Sequence, residues 1–243
     1  MLPLYMSKPF DVQYFQHIKR LFGTALIGYW PLDEAAGAST VTDYSGQANN
    51  GTPSNVTFGQ AGIGDGRTSA LFVPASSSYV DLFSAGLAAD VSVTELTLAI
   101  WAKVSAAGVW ADSTFRTIML LRADGNNEVE IYKPSANNSL GVEYIGGGTS
   151  DVSTTTSYAN TYWQHIALTL SKSADELKGY VNGVQAMATQ STLDTWSGAL
   201  TAAILGAYTL VPASVWSGYL AHAILLNRAA TAQEIAEAAR VSV

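Results

Sequence analysis

From residue 25 onward, hydrophobic residues alternate with polar ones in short runs separated by clusters of Gly, Asn, Asp and Ser. Alternation with a period of two is typical of strands that bury one face, and such clusters are typical of turns. The clearest runs are ELTLAIWAKV, YWQHIALTLS and ELKGYVNGVQAM. In the last run, Asn182 and Gly183 form a strong two-residue hairpin signal. The pattern predicts an all-β fold, a two-sheet antiparallel sandwich, over residues 25–243.

The first 24 residues follow a different pattern, because apolar residues recur there at helical spacing. Lys19 and Arg20 lie near the end of this segment, where a helix dipole favours positive charge. The pattern predicts an amphipathic helix over about residues 10–22, with Gly23 as its stop. Its apolar stripe consists of Phe10, Tyr14, Ile18 and Leu21.

The apolar stripe needs a partner surface, because a helix of about 13 residues is marginal in water by itself. One interpretation is that the helix packs on its own domain. The other is that it is an arm that docks on another subunit and serves assembly. Both are open from the sequence, since a terminal segment needs to be tied down in either case.

The C-terminal segment NRAATAQEIAEAARV predicts a short closing helix. Thr231 and Glu234 stand in capping-box spacing just before the apolar Ile235 and Ala238. Two further segments resemble each other, WSGALTAAIL and WSGYLAHAIL, and are interpreted as two similar strands rather than as a repeat architecture.

Several large residues within the strand patterns are predicted to form the core, because they occupy the apolar positions of the alternation. They are Trp30, Trp101, Trp163, Ile166, Leu168 and Ile224.

Composition and charge limit the classes of partner. Of the 243 residues, 48% are hydrophobic and 13% are charged, so the chain can bury a large core. The net charge of -7, without a basic run, disfavours nucleic acid and anionic membranes as partners. The absence of cysteine excludes disulfides and thiolate metal sites. The N-terminus does not have the pattern of a secretory signal, and no apolar run reaches the roughly 18 residues of a spanning helix.

The order of motifs along the chain resembles the laminin-G-like, concanavalin A-like jelly-roll family. The resemblance depends on GYWPLDEAAG, DYSGQANNGT, LTLAIWAKV, YWQHIALTLSKSADELKGYVNGV and WSGYLAHAILLNRAATAQEI, and covers about residues 26–240. It implies two curved antiparallel sheets and binding through the loops or one sheet face. It implies no single function, because such sandwiches host many.

The resemblance also implies that the loop DYSGQANNG can hold calcium. The candidate oxygen donors are Asp43, Asn49, Asn50 and Asp81. The alternative is a plain Asx-type turn built by Asp43 and Ser45. The turn is favoured, because one or two carboxylates rarely fill six to eight coordination positions. In addition, Ala221 and His222 stand where the family commonly has an acidic pair. No cofactor is therefore expected.

Catalytic motifs are missing from the sequence. Glycan hydrolases of this fold class carry carboxylates in an E-x-D-x-x-E arrangement, and no such string occurs. Glu128 and Glu130 share one strand face and are interpreted as solvent-facing, with Val129 and Ile131 inward. His165 is interpreted as a strand residue with a local hydrogen bond. The chain is not expected to be an enzyme.

Aromatic residues in or beside loops are the remaining candidates for sugar stacking, since flat rings can pack on sugar faces. They are Trp110, Tyr132, Tyr144 and Trp196.

Two functions compete. The first is a non-enzymatic structural or assembly protein, a bacteriophage virion component such as a capsid decoration or tail-associated protein. It would be assembled in the host cytoplasm, with coat subunits or further copies as partners and with surface glycan adhesion as an added duty. The alternative is a lectin-like carbohydrate-binding module at the cell surface. The amphipathic N-terminal helix and the lack of a catalytic set favour the first.

Overall fold

The structure, a computed structural model, describes residues 14–136, 138–155, 157 and 159–241. Short strands dominate it, as the alternation predicts. The helices are α1 (Tyr14–Phe22), α2 (Ala85–Asp90) and α3 (Ala232–Ala238). The strands are β1 (Leu26–Trp30), β2 (Thr52–Ser54), β3 (Thr57–Ala61), β4 (Thr68–Phe72), β5 (Tyr79–Asp81), β6 (Glu95–Val104), β7 (Arg116–Asp124), β8 (Asn127–Lys133), β9 (Gly141–Gly146), β10 (Thr149–Thr154), β11 (Gln164–Ser171), β12 (Glu176–Val181), β13 (Val184–Gln185), β14 (Ala202–Leu205) and β15 (Gly218–Leu226).

Over the described residues, these strands pair antiparallel into two sheets. The eight-stranded sheet has the order β13-β12-β11-β6-β15-β4-β3, and β1 pairs with β15. The seven-stranded sheet has the order β10-β9-β8-β7-β14-β5-β2. The prediction of a two-sheet antiparallel jelly-roll sandwich is confirmed.

The main hydrophobic core lies between the two sheets. In β6, Leu98 and Ile100 belong to this core, whereas Ala99 and Trp101 point to the opposite face and join a second apolar cluster. The predicted core residues are buried except Trp163, which is partly buried beside Tyr219 on the outer side. That prediction was wrong, because Trp163 directly precedes β11 and its ring lies at the margin of the sheet.

Helix α1 packs on the outer face of the eight-stranded sheet. Tyr14 and Ile18 are buried there in the cluster that also contains Trp101 and Ala238 of α3. The Tyr14 hydroxyl donates to the Ala238 carbonyl (2.6 Å) and accepts from Trp101 Nε1 (2.9 Å). The structure thus shows the first of the two expectations, packing of the helix on its own domain.

The rest of the predicted stripe is less deeply placed. Leu21 is partly buried against the same cluster, and Phe10, like the predicted start of the helix, lies outside the described residues. An assembly role for these residues stays a prediction. Within the described helices, none is long and apolar enough to cross a lipid bilayer.

The local signals for the hairpin and the C-terminal helix are confirmed. Asn182 and Gly183 have φ values of 51° and 81°, the left-handed conformation that this two-residue turn requires, between β12 and β13. The Thr231 and Glu234 side chains form a reciprocal capping box at the start of α3.

Candidate functional site

Three glutamates meet on the face of the seven-stranded sheet that is turned away from the core. In β8, Val129 and Ile131 point into the core, so Glu128 and Glu130 point to the other face. The antiparallel register places Glu143 of β9 directly opposite Glu130. One carboxylate oxygen from each glutamate lies within 4.8 Å of the other two.

These side chains form the floor and one wall of a cavity of about 310 Å³, named the glutamate cavity below. The long connection between β14 and β15 supplies Tyr208 and Ser214, and the approach to β7 supplies Phe115. The lining residues are Phe115, Glu128, Glu130, Glu143, Ile145, Tyr208 and Ser214. Apart from Glu128 and Glu130, they are half-buried, so they form the accessible rim.

Glu128 is held in place by two donors. Arg122, its partner across the strand pair, donates from Nε to the carboxylate at 2.7 Å. The Tyr208 hydroxyl donates to both carboxylate oxygens, at 3.1 and 3.2 Å. The Arg122 guanidinium also lies 4.0 Å from the centre of the Tyr208 ring, a cation–π contact. Burial and the neighbouring Glu128 carboxylate raise the pKa of Tyr208 to about 12.

Glu130 has no comparable support. Its side chain is 0% exposed, and neither carboxylate oxygen has a hydrogen-bond partner among the described residues. Burial raises its pKa well above the usual range, and the nearby Glu128 and Glu143 act in the same direction. Burial also raises the pKa of Glu143, against the opposing effect of the Ser150 hydroxyl, which donates to it at 2.5 Å.

The prediction that Glu128 and Glu130 face solvent was wrong. They are 2% and 0% exposed, because side chains of β7 and β9 flank them and the Tyr208–Ser214 segment folds over the same sheet face. Alternation identifies which residues share a face but not whether another segment covers that face. The E-x-E spacing in the sequence indicated that Glu128 and Glu130 lie on the same face of one strand. The presence of Glu143 beside them could be recognised only from the register between β8 and β9.

The predicted calcium loop is organised as a turn. Asp43 is buried and accepts the backbone N–H groups of Tyr29 (2.9 Å), Ser45 (2.8 Å) and Asn49 (2.9 Å). The Asn50 side-chain carbonyl accepts the backbone N–H of Asp43 at 2.9 Å.

The other two candidate ligands of that loop also have local partners. The Asn49 side-chain carbonyl accepts from the Ser84 hydroxyl at 3.1 Å, and Asp81 accepts the backbone N–H of Phe83 at 3.0 Å. These oxygens therefore accept hydrogen bonds from neighbouring groups of the protein. The structure shows the Asx-type turn, and the calcium independence of this loop stays a prediction.

The four aromatic residues proposed for sugar stacking are buried. Trp110, Tyr132, Tyr144 and Trp196 are 4%, 4%, 0% and 6% exposed. Three of them belong to the main core, while Tyr132 lies under the stacked Phe115 ring with centroids 4.9 Å apart. The expectation of a loop platform was wrong for this set, because Tyr132 and Tyr144 lie within β8 and β9, and the rings of Trp110 and Trp196 fill the core from connecting segments. The half-buried aromatic rings at the cavity are instead Phe115 and Tyr208.

A second polar cluster lies beneath α1, on the outer face of the eight-stranded sheet. His222 Nδ1 is 2.7 Å from the Tyr29 hydroxyl, and His222 Nε2 is 3.1 Å from Asp65 Oδ2. The Tyr14 ring covers His222 with centroids 4.7 Å apart. Because helix α1 covers this cluster, the cluster is not an accessible site. Its contacts connect β1, β15 and the segment before β4.

His165 lies in the same region, and its ring is buried. It is 0% exposed, and neither ring nitrogen has a hydrogen-bond partner among the described residues. Burial, with a smaller contribution from His222, lowers its pKa to about 3. His165 is a strand residue of β11, as predicted, and its hydrogen bonds are made by its backbone, which donates to the Asn182 side chain at 3.0 Å. The ring instead packs edge-on against Trp101, with centroids 5.4 Å apart.

Comparison with known proteins gives a family match. A laminin G model described as "Concanavalin A-like lectin/glucanases superfamily" matches residues 74–236, more than half of the chain. The search of curated proteins gave no match.

Solved structures share the fold at low sequence identity. Domain 4 of AbnA, an extracellular arabinanase from Geobacillus stearothermophilus solved with arabinotriose, is 16% identical with a TM-score of 0.66. The match covers 88% of this chain and 98% of that domain. Trypanosoma rangeli sialidase is 14% identical with a TM-score of 0.63, over 88% of this chain and 32% of that chain. The binding domain of botulinum neurotoxin serotype D is 11% identical with a TM-score of 0.64, over 88% of this chain and 51% of that chain.

Proposed function

Because the chain belongs to the concanavalin A-like lectin/glucanases superfamily, we propose that it is a non-enzymatic glycan-binding module that binds through the glutamate cavity. The observation that carries the proposal is the combination of a rim with two aromatic rings, Phe115 and Tyr208, and a group of carboxylates. Aromatic rings pack on the C–H faces of sugars, and carboxylates accept hydrogen bonds from sugar hydroxyls. Domain 4 of AbnA, which shares the fold, was solved in complex with arabinotriose and supports the proposal by analogy.

The cavity is prepared for binding before a ligand arrives. Arg122 and Tyr208 fix Glu128 from two sides, so little side-chain entropy is lost there when a ligand binds. Glu143 and Ser214 supply polar atoms at the rim. A small number of fixed polar groups among apolar surface is typical of small-molecule sites.

The charge of the cavity favours neutral sugars. Three carboxyl groups face one guanidinium, Arg122, which already pairs with Glu128. An acidic sugar would bring another carboxylate close to Glu143 and experience repulsion. Neutral oligosaccharides are therefore the expected ligands, and sialylated ones are the expected non-ligands.

The burial of the carboxyl pair supports binding rather than hydrolysis. A catalytic acid must reach the glycosidic oxygen within hydrogen-bond distance. Glu130 is 0% exposed, and both oxygens of Glu128 are engaged by Arg122 and Tyr208. In this arrangement they form the floor beneath a bound sugar.

The virion hypothesis is the other candidate for this chain. Its motivating feature was the apolar stripe of α1, and Tyr14 and Ile18 of that stripe are buried on the chain's own sheet. We therefore favour glycan binding over the virion role, and we propose that the protein acts outside the cell or at a cell surface. Light scattering on the full chain separates the two: the binding module is expected to be a small defined species, and a virion component to form a large symmetric assembly.

The test of glycan binding uses an immobilised panel of neutral and sialylated oligosaccharides, followed by calorimetry on the ligands that bind. Glu143→Gln and Tyr208→Ala are each expected to weaken binding by about tenfold or more, the loss of roughly one good hydrogen bond or ring contact. Glu176→Gln is the matched control, since Glu176 is a partly exposed carboxylate on β12, in the other sheet.

Two results would contradict the proposal. Undiminished binding in both cavity variants would place the glycan elsewhere. Release of new reducing ends from a bound oligosaccharide, abolished by Glu128→Gln, would show that the carboxyl pair is catalytic.

A further inference from the structure

The three carboxyl groups of the glutamate cavity have a spacing that suits one metal ion. Their nearest oxygens all lie within 4.8 Å of one another. Calcium binds oxygen at 2.3–2.6 Å, so two of its ligands can be up to roughly 4.6–5.2 Å apart. The spacing of the three oxygens is therefore compatible with a single ion of calcium size.

A second observation, independent of the spacing, is that the buried Glu130 carboxyl group has no hydrogen-bond partner within the described part of the chain. The side chain is 0% exposed, lines the cavity, and has no hydrogen bond to either oxygen among the described residues. A buried carboxylate without a partner is costly to the fold. The charge of Arg122 relieves this cost only in part, because the guanidinium donates from Nε to Glu128 and makes no hydrogen bond to Glu130.

We propose that Glu128, Glu130 and Glu143 together bind one divalent cation of the calcium class at the floor of the glutamate cavity. The cation replaces the missing partner of Glu130 and balances the excess negative charge of the triad. The remaining coordination positions face the cavity and are filled by water or by ligand hydroxyls. The site differs from the loop around Asp43, whose oxygens are bound to backbone N–H groups.

The experiment is calorimetric titration of the EDTA-treated full chain with CaCl2, and separately with MnCl2 and MgCl2. One calcium ion per chain is expected, with a dissociation constant of about 0.1–1 mM, the range of extracellular modules. Calcium at 100 times the dissociation constant is expected to raise the melting temperature by roughly 5–10 °C.

Variants locate the ion. Glu130→Gln and Glu143→Gln are each expected to weaken calcium binding at least tenfold. Asp81→Asn, which alters the predicted loop site, and Glu176→Gln, on the other sheet, are expected to leave it unchanged. The melting curve of each variant without added metal shows that it is folded.

Two outcomes overturn the inference. Calcium binding that survives in both Glu130→Gln and Glu143→Gln places the ion elsewhere. No binding of any of the three cations to the folded, unaltered chain shows that the triad does not hold a cation. Neither measurement uses a glycan, so failure of this inference is distinguishable from failure of the proposed glycan binding.

Discussion

The Tyr14 hydroxyl connects three parts of the molecule, and its removal in Tyr14→Phe is the sharpest test of the packing of α1. The hydroxyl donates to the Ala238 carbonyl at 2.6 Å and accepts from Trp101 Nε1 at 2.9 Å. It thereby joins the N-terminal helix to the eight-stranded sheet and to the last turn of α3. The ring itself stays in Tyr14→Phe, so only the hydrogen bonds change.

The expected loss follows from the two partners that are left buried. Trp101 is 7% exposed and Ala238 is 0% exposed, so water does not readily replace the hydroxyl for either. A buried polar group left without a partner costs about 1–3 kcal/mol. Allowing for some relaxation near the chain ends, Tyr14→Phe should lower the free energy of unfolding by about 2–4 kcal/mol.

The assay is urea unfolding of the full chain followed by tryptophan fluorescence, with the free energy taken from the midpoint and slope. Tyr162→Phe is the matched control, because Tyr162 is 76% exposed and the same chemical change should have almost no effect there. A double-mutant cycle with Trp101→Phe should show a coupling energy above about 0.5 kcal/mol, since the two side chains share a hydrogen bond. A loss below 0.5 kcal/mol in Tyr14→Phe would refute the assigned packing of α1.

Two further changes test other parts of the fold. The pKa of His165 in the folded chain, about 3, lies below its ordinary value of 6.5. Below pH 6.5 the unfolded chain binds a proton at His165 that the folded chain does not bind. The free energy of unfolding is therefore unaffected by this group above pH 6.5, and it falls below that pH by up to about 1.4 kcal/mol per pH unit. His165→Leu should remove this slope between pH 6.5 and 4 in pH-dependent urea unfolding, and an unchanged slope would show that the ring is not buried neutral. Thr231→Ala should lower the free energy of unfolding by about 1 kcal/mol through loss of the α3 cap, whereas a change below 0.3 kcal/mol would show that α3 contributes little.

The strands and turns of this protein were readable from local sequence, because their signals depend on residues close together in the chain. Alternation placed Val129 and Ile131 inward, and the left-handed preference of Asn182 and Gly183 fixed the hairpin. The capping box of α3 was equally local. These features need no knowledge of what covers a strand face.

The candidate site was decided by tertiary structure. Glu130 and Glu143 come together through strand register, and Tyr208 reaches Glu128 from 80 residues away. The sequence interpretation of Glu130 as solvent-facing failed because period-two alternation describes two faces but not the segment that folds over one of them.

Long-range packing also explains why the sequence did not predict the burial of the aromatic residues or the surface on which α1 packs. A ring such as Tyr144 can fill the core whether a loop or a strand carries it, and only the packed structure shows which. For Tyr14, the sequence supplied an apolar stripe and the need for a partner surface. The identity of that surface, the outer face of the chain's own sheet, depended on contacts with Trp101 and Ala238, far away along the chain. Residues close together in the chain thus determined the strands, the hairpin and the helix cap. Contacts between distant residues determined which carboxyl groups lie together in the glutamate cavity.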